Sequence, residues 1–331
     1  MLDNEAREIE RQTVAILKVL SESTGSLGSI SIARSLQEHG VYLSERAVRY
    51  HLRITDERGF TQPLGRDGRM LTSKGLEELR NALAPEQVGF VIERIASLAF
   101  QTTFDPEKRS GDVTINTSLF LKDKFKKALS AMKDAFSAGI CVSDRVAVAD
   151  QGEKLGDVII PEGHVGLATV CSATVNGVLL KRGIPMDSRF GGILEIRNSQ
   201  PRRFVAVIHY AGSSLDPSLA YIKAGMTSVR DAATKGEGKI LANFREIPAA
   251  AKPMAEQVIE KLKEAGIGGV VLMGNTSRPV CQIPIGLNKV GVILHGGLNP
   301  VAAAEEAGVE AENIANSGLL DFRQLGSFWD I

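Results

Sequence analysis

The chain has 331 residues, 44% of them hydrophobic and 24% charged. Such a composition excludes disorder and collagen-like repeats, and the length predicts two or three domains. Basic and acidic residues number 39 each, so the net charge is zero and any nucleic-acid surface must be a local patch.

The longest apolar runs, such as Val290–Leu294, have strand length and fall far short of a membrane span. The opening MLDNEAREIER has no apolar core, so no signal peptide is expected. Cys141, Cys171 and Cys281 lie far apart without C-x-x-C spacing, which reads as reduced thiols in a cytoplasmic protein.

In chain order, residues 6–22 carry Ile9, Thr13, Ile16, Leu17 and Leu20 at helical spacing. A Ser/Gly-rich break at 23–29 precedes a second helix through Ile32 and Leu36, which Gly40 ends. Ser44 is placed to cap a third helix running to about Gly59. At about 100° per residue, Val48, Leu52 and Thr55 form one face of that helix. Arg46, Arg49, Tyr50 and Arg53 share the opposite one, as a DNA-reading helix requires. A hairpin with Asp67-Gly68 at its tip, flanked by Arg66 and Arg69, follows as the wing expected to lie on the DNA backbone. Residues 44–70 hold six arginines against four acids, so positive charge is concentrated there. Residues 1–83 therefore read as a winged helix-turn-helix that binds double-stranded DNA. A dimer reading an inverted repeat is expected, because one such module spans only a few base pairs.

Residues 84–331 contain an internal duplication, with copies at about 84–200 and 201–331. Asn116 matches Asn243 at an offset of 127, and Ala138-Gly139-Ile140 matches Ala265-Gly266-Ile267. Val165-Gly166 and Gly183 match Val290-Gly291 and Gly308 at an offset of 125. Each copy reads as a helix (85–100; 217–225), a strand (112–118; 239–245) and a helix (122–138; 250–265). Strands follow at 145–149 and 269–273, at 157–160 and 280–283, and at 165–171 and 290–295. A helix closes each copy (175–183; 300–308). Strands 193–196 and 204–210 are expected to complete a sheet. The fold class is α/β (α+β), with the copies about a pseudo-twofold axis.

No Walker A loop, G-x-G-x-x-G turn or G-x-S-x-G elbow is present. The five histidines are dispersed, so neither a metal nor a cofactor is expected. The polar residues cluster at strand ends instead. Cys171 and Ser172 run off a strand and Asn176 follows in the next helix, while the second copy places His295-Gly-Gly-Leu-Asn299-Pro300 at the equivalent point. Such helix starts either bind anions or simply cap themselves. Arg203, Thr227, Ser228 and Arg230 add donors from the unmatched stretch 184–237, although Arg230 also suits pairing with Asp231 or Glu237. With Cys171, Ser172 and Asn176 they form the expected site for a small dicarboxylate in a cleft between the copies.

Several of these stretches resemble the nitrogen regulatory repressor family, NrpR. They are TVCSATVNGVLLKRGIPM (169–186), SLDPSLAYIKAGMTSVRDAA (214–233), GEGKILANFREIPA (236–249) and GLNPVAAAEEAGVEA (297–311), together with SERAVRYHL (44–52). The resemblance spans nearly the whole chain and implies a winged helix followed by a single regulatory domain. It also implies a repressor of nitrogen-assimilation genes, released from its operator by 2-oxoglutarate. The competing reading is an enzyme acting on a small carboxylic acid, fused to a winged helix. A co-regulator without DNA binding is disfavoured by the outward arginine face of the third helix.

Overall fold

The computed structural model describes residues 2–23, 25–38, 40–83 and 89–331, without the side chains of 2–8, 66, 80, 81 and 83. The chain divides into two compact units, 1–87 and 88–331. The division falls four residues after the boundary expected at 83.

In the first unit, helices α1 (Leu2–Ser21), α2 (Ser29–Glu38) and α3 (Glu45–Glu57) pack around Ile16, Leu20, Ile32, Leu36, Val48 and Leu52. Full burial of each aliphatic side chain contributes about 1.5–3 kcal/mol, which offsets the cost of ordering three short helices. Val48, Leu52 and Thr55, the face expected to point inward, are all buried. Ser44 caps α3 by accepting the Ala47 N–H. Strands β1 (Thr61–Pro63) and β2 (Arg69–Leu71) form the hairpin, with a 3-10 turn at Gly65–Asp67. Gly68 has φ +97°, and a Cβ there would lie 2.2 Å from the Leu27 carbonyl oxygen, so only glycine fits. Helix α4 (Ser73–Leu83), which the sequence reading did not identify, closes the unit by placing Leu79 against Leu17 and Phe60.

The second unit opens with α5 (Phe90–Gln101). The first copy continues with β3 (Asp112–Leu121), α6 (Phe125–Ser137), β4 (Arg145–Asp150), the small hairpin β5 (Lys154–Leu155) and β6 (Val158–Ile159), β7 (His164–Val170), α7 (Ala173–Lys181) and β8 (Asp187–Arg197). Strand β9 (Gln200–His209), α8 (Pro217–Lys223) and α9 (Val229–Lys235) intervene. The second copy runs β10 (Gly238–Pro248), α10 (Lys252–Glu264), β11 (Val270–Met273), β12 (Lys289–His295), α11 (Asn299–Glu306) and β13 (Glu312–Asp321), with β14 (Gly326–Ser327) last.

Two antiparallel five-stranded sheets result, ordered β13-β3-β7-β4-β14 and β11-β12-β10-β8-β9. Each copy is a split β-α-β-β-α-β unit whose final strand is exchanged. Strand β8 leaves the first copy to pair with β10, and β13 leaves the second to pair with β3. The exchange locks the copies together around the pseudo-twofold axis.

Several expectations are corrected. Strand β13 was not anticipated. The expected strand at 280–283 is only an isolated bridge between Val280 and Ile283. The strands expected at 193–196 and 204–210 do complete a sheet, as parts of the longer β8, which pairs with β10, and of β9 on its other side. No helix among the described residues is long and apolar enough to cross a membrane.

Candidate functional site: a DNA-reading face and an interior polar cavity

The arginine face of α3 is present as expected. Arg46, Arg49, Tyr50 and Arg53 are exposed. Arg53 lies over the Tyr50 ring with its guanidinium carbon 5.9 Å from the centroid. Arg49 is not free: its Nη2 donates to Glu45 Oε1 at 2.5 Å, and the same oxygen accepts from Ser29 Oγ at 3.0 Å. Ser44 serves α3 as its cap. Arg69 departs from the expected role on the wing tip. Its Nε donates to Asp56 Oδ2 at 2.8 Å, and its backbone exchanges hydrogen bonds with Leu27. Asp56 also accepts from Thr61 Oγ1 at 2.6 Å. Arg69 therefore ties the hairpin to α3 and to the strand-like residue Leu27. The Arg66 side chain lies outside the described residues.

In the second unit the matched Asn116 and Asn243 occupy equivalent places on β3 and β10. They line one small cavity together with Cys171, Ser172, Tyr210, Asp216, Arg245 and Asn316. It encloses about 20 Å³, the space of one water molecule. Strand registers set this arrangement. Asn116 faces a bulge in β13, where Ala315, Asn316 and Ser317 oppose that single residue. Gly297 leads into α11, and a Cβ there would lie 2.5 Å from Asn116 Nδ2.

Arg245 is the largest fully buried side chain among the described residues, 1% exposed. Its guanidinium carbon sits 5.0 Å from the Tyr210 ring centroid, and Nη1 donates to the Phe244 carbonyl at 3.2 Å. Tyr210 donates to Asn243 Oδ1 at 2.6 Å, and Asn243 Nδ2 donates to Ser172 Oγ at 3.0 Å. Among the described residues, Arg245 Nε and Asn116 Nδ2 have no hydrogen-bond partner. Buried donors of this kind carry a cost unless an acceptor satisfies them. Burial raises the Asp216 carboxyl above its ordinary pKa, although Arg245 opposes that shift. Burial also pushes Cys171 to about 11 and Tyr210 to about 12, so both are neutral at pH 7. The cavity combines the Arg245 guanidinium, the Asp216 carboxyl, two unsatisfied donors and neutral hydroxyl and thiol groups. It is suited to a carboxylate and lacks an activated nucleophile.

Of the ligand residues expected from sequence, Cys171 and Ser172 line the cavity. Asn176 is buried just outside the lining and donates to Ser188 Oγ at 3.0 Å. Arg203 is exposed on β9 and paired with Glu195 at 2.9 Å. The start of α9 is already occupied: the Glu306 carboxylate accepts from the amides of Val229 and Arg230 at 2.7 and 3.0 Å. Ser228 Oγ accepts from Lys239 N–H at 2.8 Å. Arg203, Thr227, Ser228 and Arg230 are thus placed away from the cavity. Asn299 does not cap its helix through its side chain either. It bonds both backbone groups of Leu241.

The sequence reading missed Asn116, Tyr210, Arg245 and Asn316 as site residues. Two signals were available. The Asn116–Asn243 match recurs in both copies, and Arg245 interrupts an otherwise apolar strand with a cation.

The profile of the NrpR regulatory domains NRD1 and 2 matches residues 88–327, and that of the ribonuclease R winged-helix domain matches 14–79. The chain is 41% identical over 318 residues to the global nitrogen regulator NrpRI of Methanosarcina mazei, covering 96% of this chain and 98% of that protein. It is 34% identical over 312 residues to the global nitrogen regulator NrpR of Methanococcus maripaludis, covering 94% of this chain and 54% of that one. The chain thus spans about half of that longer relative. A crystal structure of a nitrogen repressor-like protein from Methanococcus jannaschii superposes with a TM-score of 0.61 at 26% identity. It covers 72% of this chain and 98% of the other.

Proposed function

The chain belongs to the NrpR family of nitrogen regulators, and from that premise we propose a repressor of nitrogen-assimilation genes whose hold on DNA is released by 2-oxoglutarate. The named relatives are regulators, which sets aside the enzyme reading. The observation that carries the effector reading is the Arg245 guanidinium, buried on the cavity wall with Nε unpaired and Asn116 Nδ2 unpaired on the same wall. One carboxylate of a 2-oxo dicarboxylic acid would satisfy such donors. The cavity holds about 20 Å³, so ligand entry requires the walls to part. A ligand that favours parted walls shifts the equilibrium by its difference in affinity for the two arrangements.

On the DNA side, Arg46, Arg49, Tyr50 and Arg53 would read one half-site. A cytoplasmic homodimer would read an inverted repeat. Arg69 supports this by holding the wing and not by touching phosphate. The test is operator affinity by fluorescence anisotropy, with and without millimolar 2-oxoglutarate, for the wild type and Arg245→Met. The wild type should lose affinity about 5- to 150-fold on adding effector. The variant should bind operator and ignore the effector. A wild type whose operator binding does not respond to 2-oxoglutarate rules out the effector assignment.

A further inference from the structure

We propose that Arg94 is the positioning residue through which the cavity acts on α5, a role that rests on the effector reading above. Asn316 lies at the centre of this arrangement. It sits in the β13 bulge at φ +51°, a backbone region non-glycine residues seldom occupy. Such a conformation persists where its surroundings over-determine it, and each of the four polar groups of Asn316 has a partner. Its N–H donates to Asn116 Oδ1 at 3.1 Å. Its Oδ1 accepts from Cys171 Sγ at 3.2 Å, and its Nδ2 approaches Asp216 Oδ2 at 3.4 Å. These three partners line the cavity. The fourth group, the carbonyl oxygen, points away from them and accepts from Arg94 Nε at 3.1 Å.

Arg94 lies on α5, and its Nη2 also donates to Asp157 Oδ2 at 2.7 Å. Asp157 belongs to the turn whose N–H bonds the Ser317 carbonyl. One guanidinium thus grips the bulge directly and through the turn beside it. Among the described residues of α5, Arg94 is the one whose side chain makes a hydrogen bond or ion pair to another element. The same helix packs Val91 and Ile95 against Cys171, Ala173 and Tyr210. It is also the first helix after residues 84–88, which lead back along the chain to the winged helix.

A carboxylate that accepts from Asn116 Nδ2 would crowd the three Asn316 contacts that line the same cavity, those to Asn116, Cys171 and Asp216. The bulge would then re-form with its carbonyl displaced. Arg94 converts that displacement into a movement of α5. The second copy has no equal device: the strand equivalent to β13 is β8, which sets the single residue Gly191 opposite Asn243 where β13 bulges opposite Asn116. The signal therefore leaves on one side only.

The test uses the full chain, 2-oxoglutarate and operator DNA. Arg94→Met keeps the length of the stem and removes every donor. Its operator affinity without effector and its 2-oxoglutarate affinity should stay within about threefold of wild type, while the effector's 5- to 150-fold weakening of operator binding is lost. Calorimetry and anisotropy read these separately, so a merely structural loss, which would lower both affinities, is distinguished. Hydrogen exchange of residues 90–101 in the wild type supplies a second readout that depends on no variant. Saturating 2-oxoglutarate should change it, and in Arg94→Met the change should vanish. An Arg94→Met protein that still releases operator as the wild type does overturns the role of Arg94 alone. So does α5 exchange unmoved by effector in a wild type that releases its operator. A wild type that fails to bind 2-oxoglutarate, or binds it without releasing operator, overturns the effector reading and this role with it.

Discussion

Asn299 holds Leu241 by both of its backbone groups, accepting its N–H at 2.8 Å and donating to its carbonyl at 2.9 Å. In the first copy Thr174 grips Thr114 in the same manner, at 3.0 and 3.1 Å. These are equivalent positions of the duplication, so each copy fastens its second helix to the start of its first strand by one polar side chain. Asn299→Ala should leave the Leu241 N–H buried and unpaired, at a cost of about 1–3 kcal/mol. Trp329 is the single tryptophan and lies in the second unit, so its fluorescence during urea unfolding reports this unit alone. An unchanged midpoint would contradict the fastening role.

The Arg69–Asp56 pair leads to a different expectation from a phosphate contact. Arg69→Ala and Asp56→Ala should each loosen the wing and weaken operator binding. Their effects should be non-additive, with a coupling of about 0.5–3 kcal/mol in a double-mutant cycle. The salt dependence decides the point. Loss of a phosphate contact lowers the slope of log affinity against log salt by about one, whereas loss of a scaffold contact leaves it in place. A lowered slope for Arg69→Ala restores that residue to the DNA backbone.

For α3, Arg49→Ala should cost about 1–3 kcal/mol of operator affinity and relax preference at one base position if it reads a base. Anisotropy against a set of single-base operator variants measures both. Simultaneous replacement of Arg46, Arg49 and Arg53 by alanine with affinity unaltered would remove α3 from the interface.

The second unit should also weaken in mild acid. The Nδ1 of His295 is sealed from solvent without a partner, and burial lowers the ring's pKa to about 4 from the usual 6.5. Between these values the unfolded chain binds the proton and the folded chain does not. This contribution to stability is therefore complete above pH 6.5 and lost progressively as the pH falls toward 4. Urea midpoints followed by Trp329 at pH 7, 6 and 5 should decline, and His295→Gln should flatten the decline. A wild-type curve as flat as that of the variant would remove His295 as the cause.

Much of this molecule could be read from its residues in order. The inward face of α3 follows from helical period alone, since Val48, Leu52 and Thr55 must meet whatever core exists. The duplication was visible because each copy has the same local signals at nearly constant spacing, the Asn116 and Asn243 match among them. What the order of residues left open was every choice made between distant segments. Nothing local to 187–197 or 312–321 states that β8 and β13 exchange sheets, because strand pairing is decided by a distant partner, 42–59 residues away for β8 and 193–209 for β13. That exchange brings Asn316 to Asn116 and to Arg94. The same limit applies to the residues expected to hold an anion. Ser228 and Arg230 open a helix, as sequence suggested, but Glu306 folds back from 76 residues downstream to occupy its amides. Arg69 flanks a hairpin tip as expected, and only the packing of that hairpin on α3 brings its guanidinium to Asp56. Local periodicity specifies what each segment becomes, while the competition among buried polar groups for partners, settled only when the chain is packed, decides which of them remain available to a ligand.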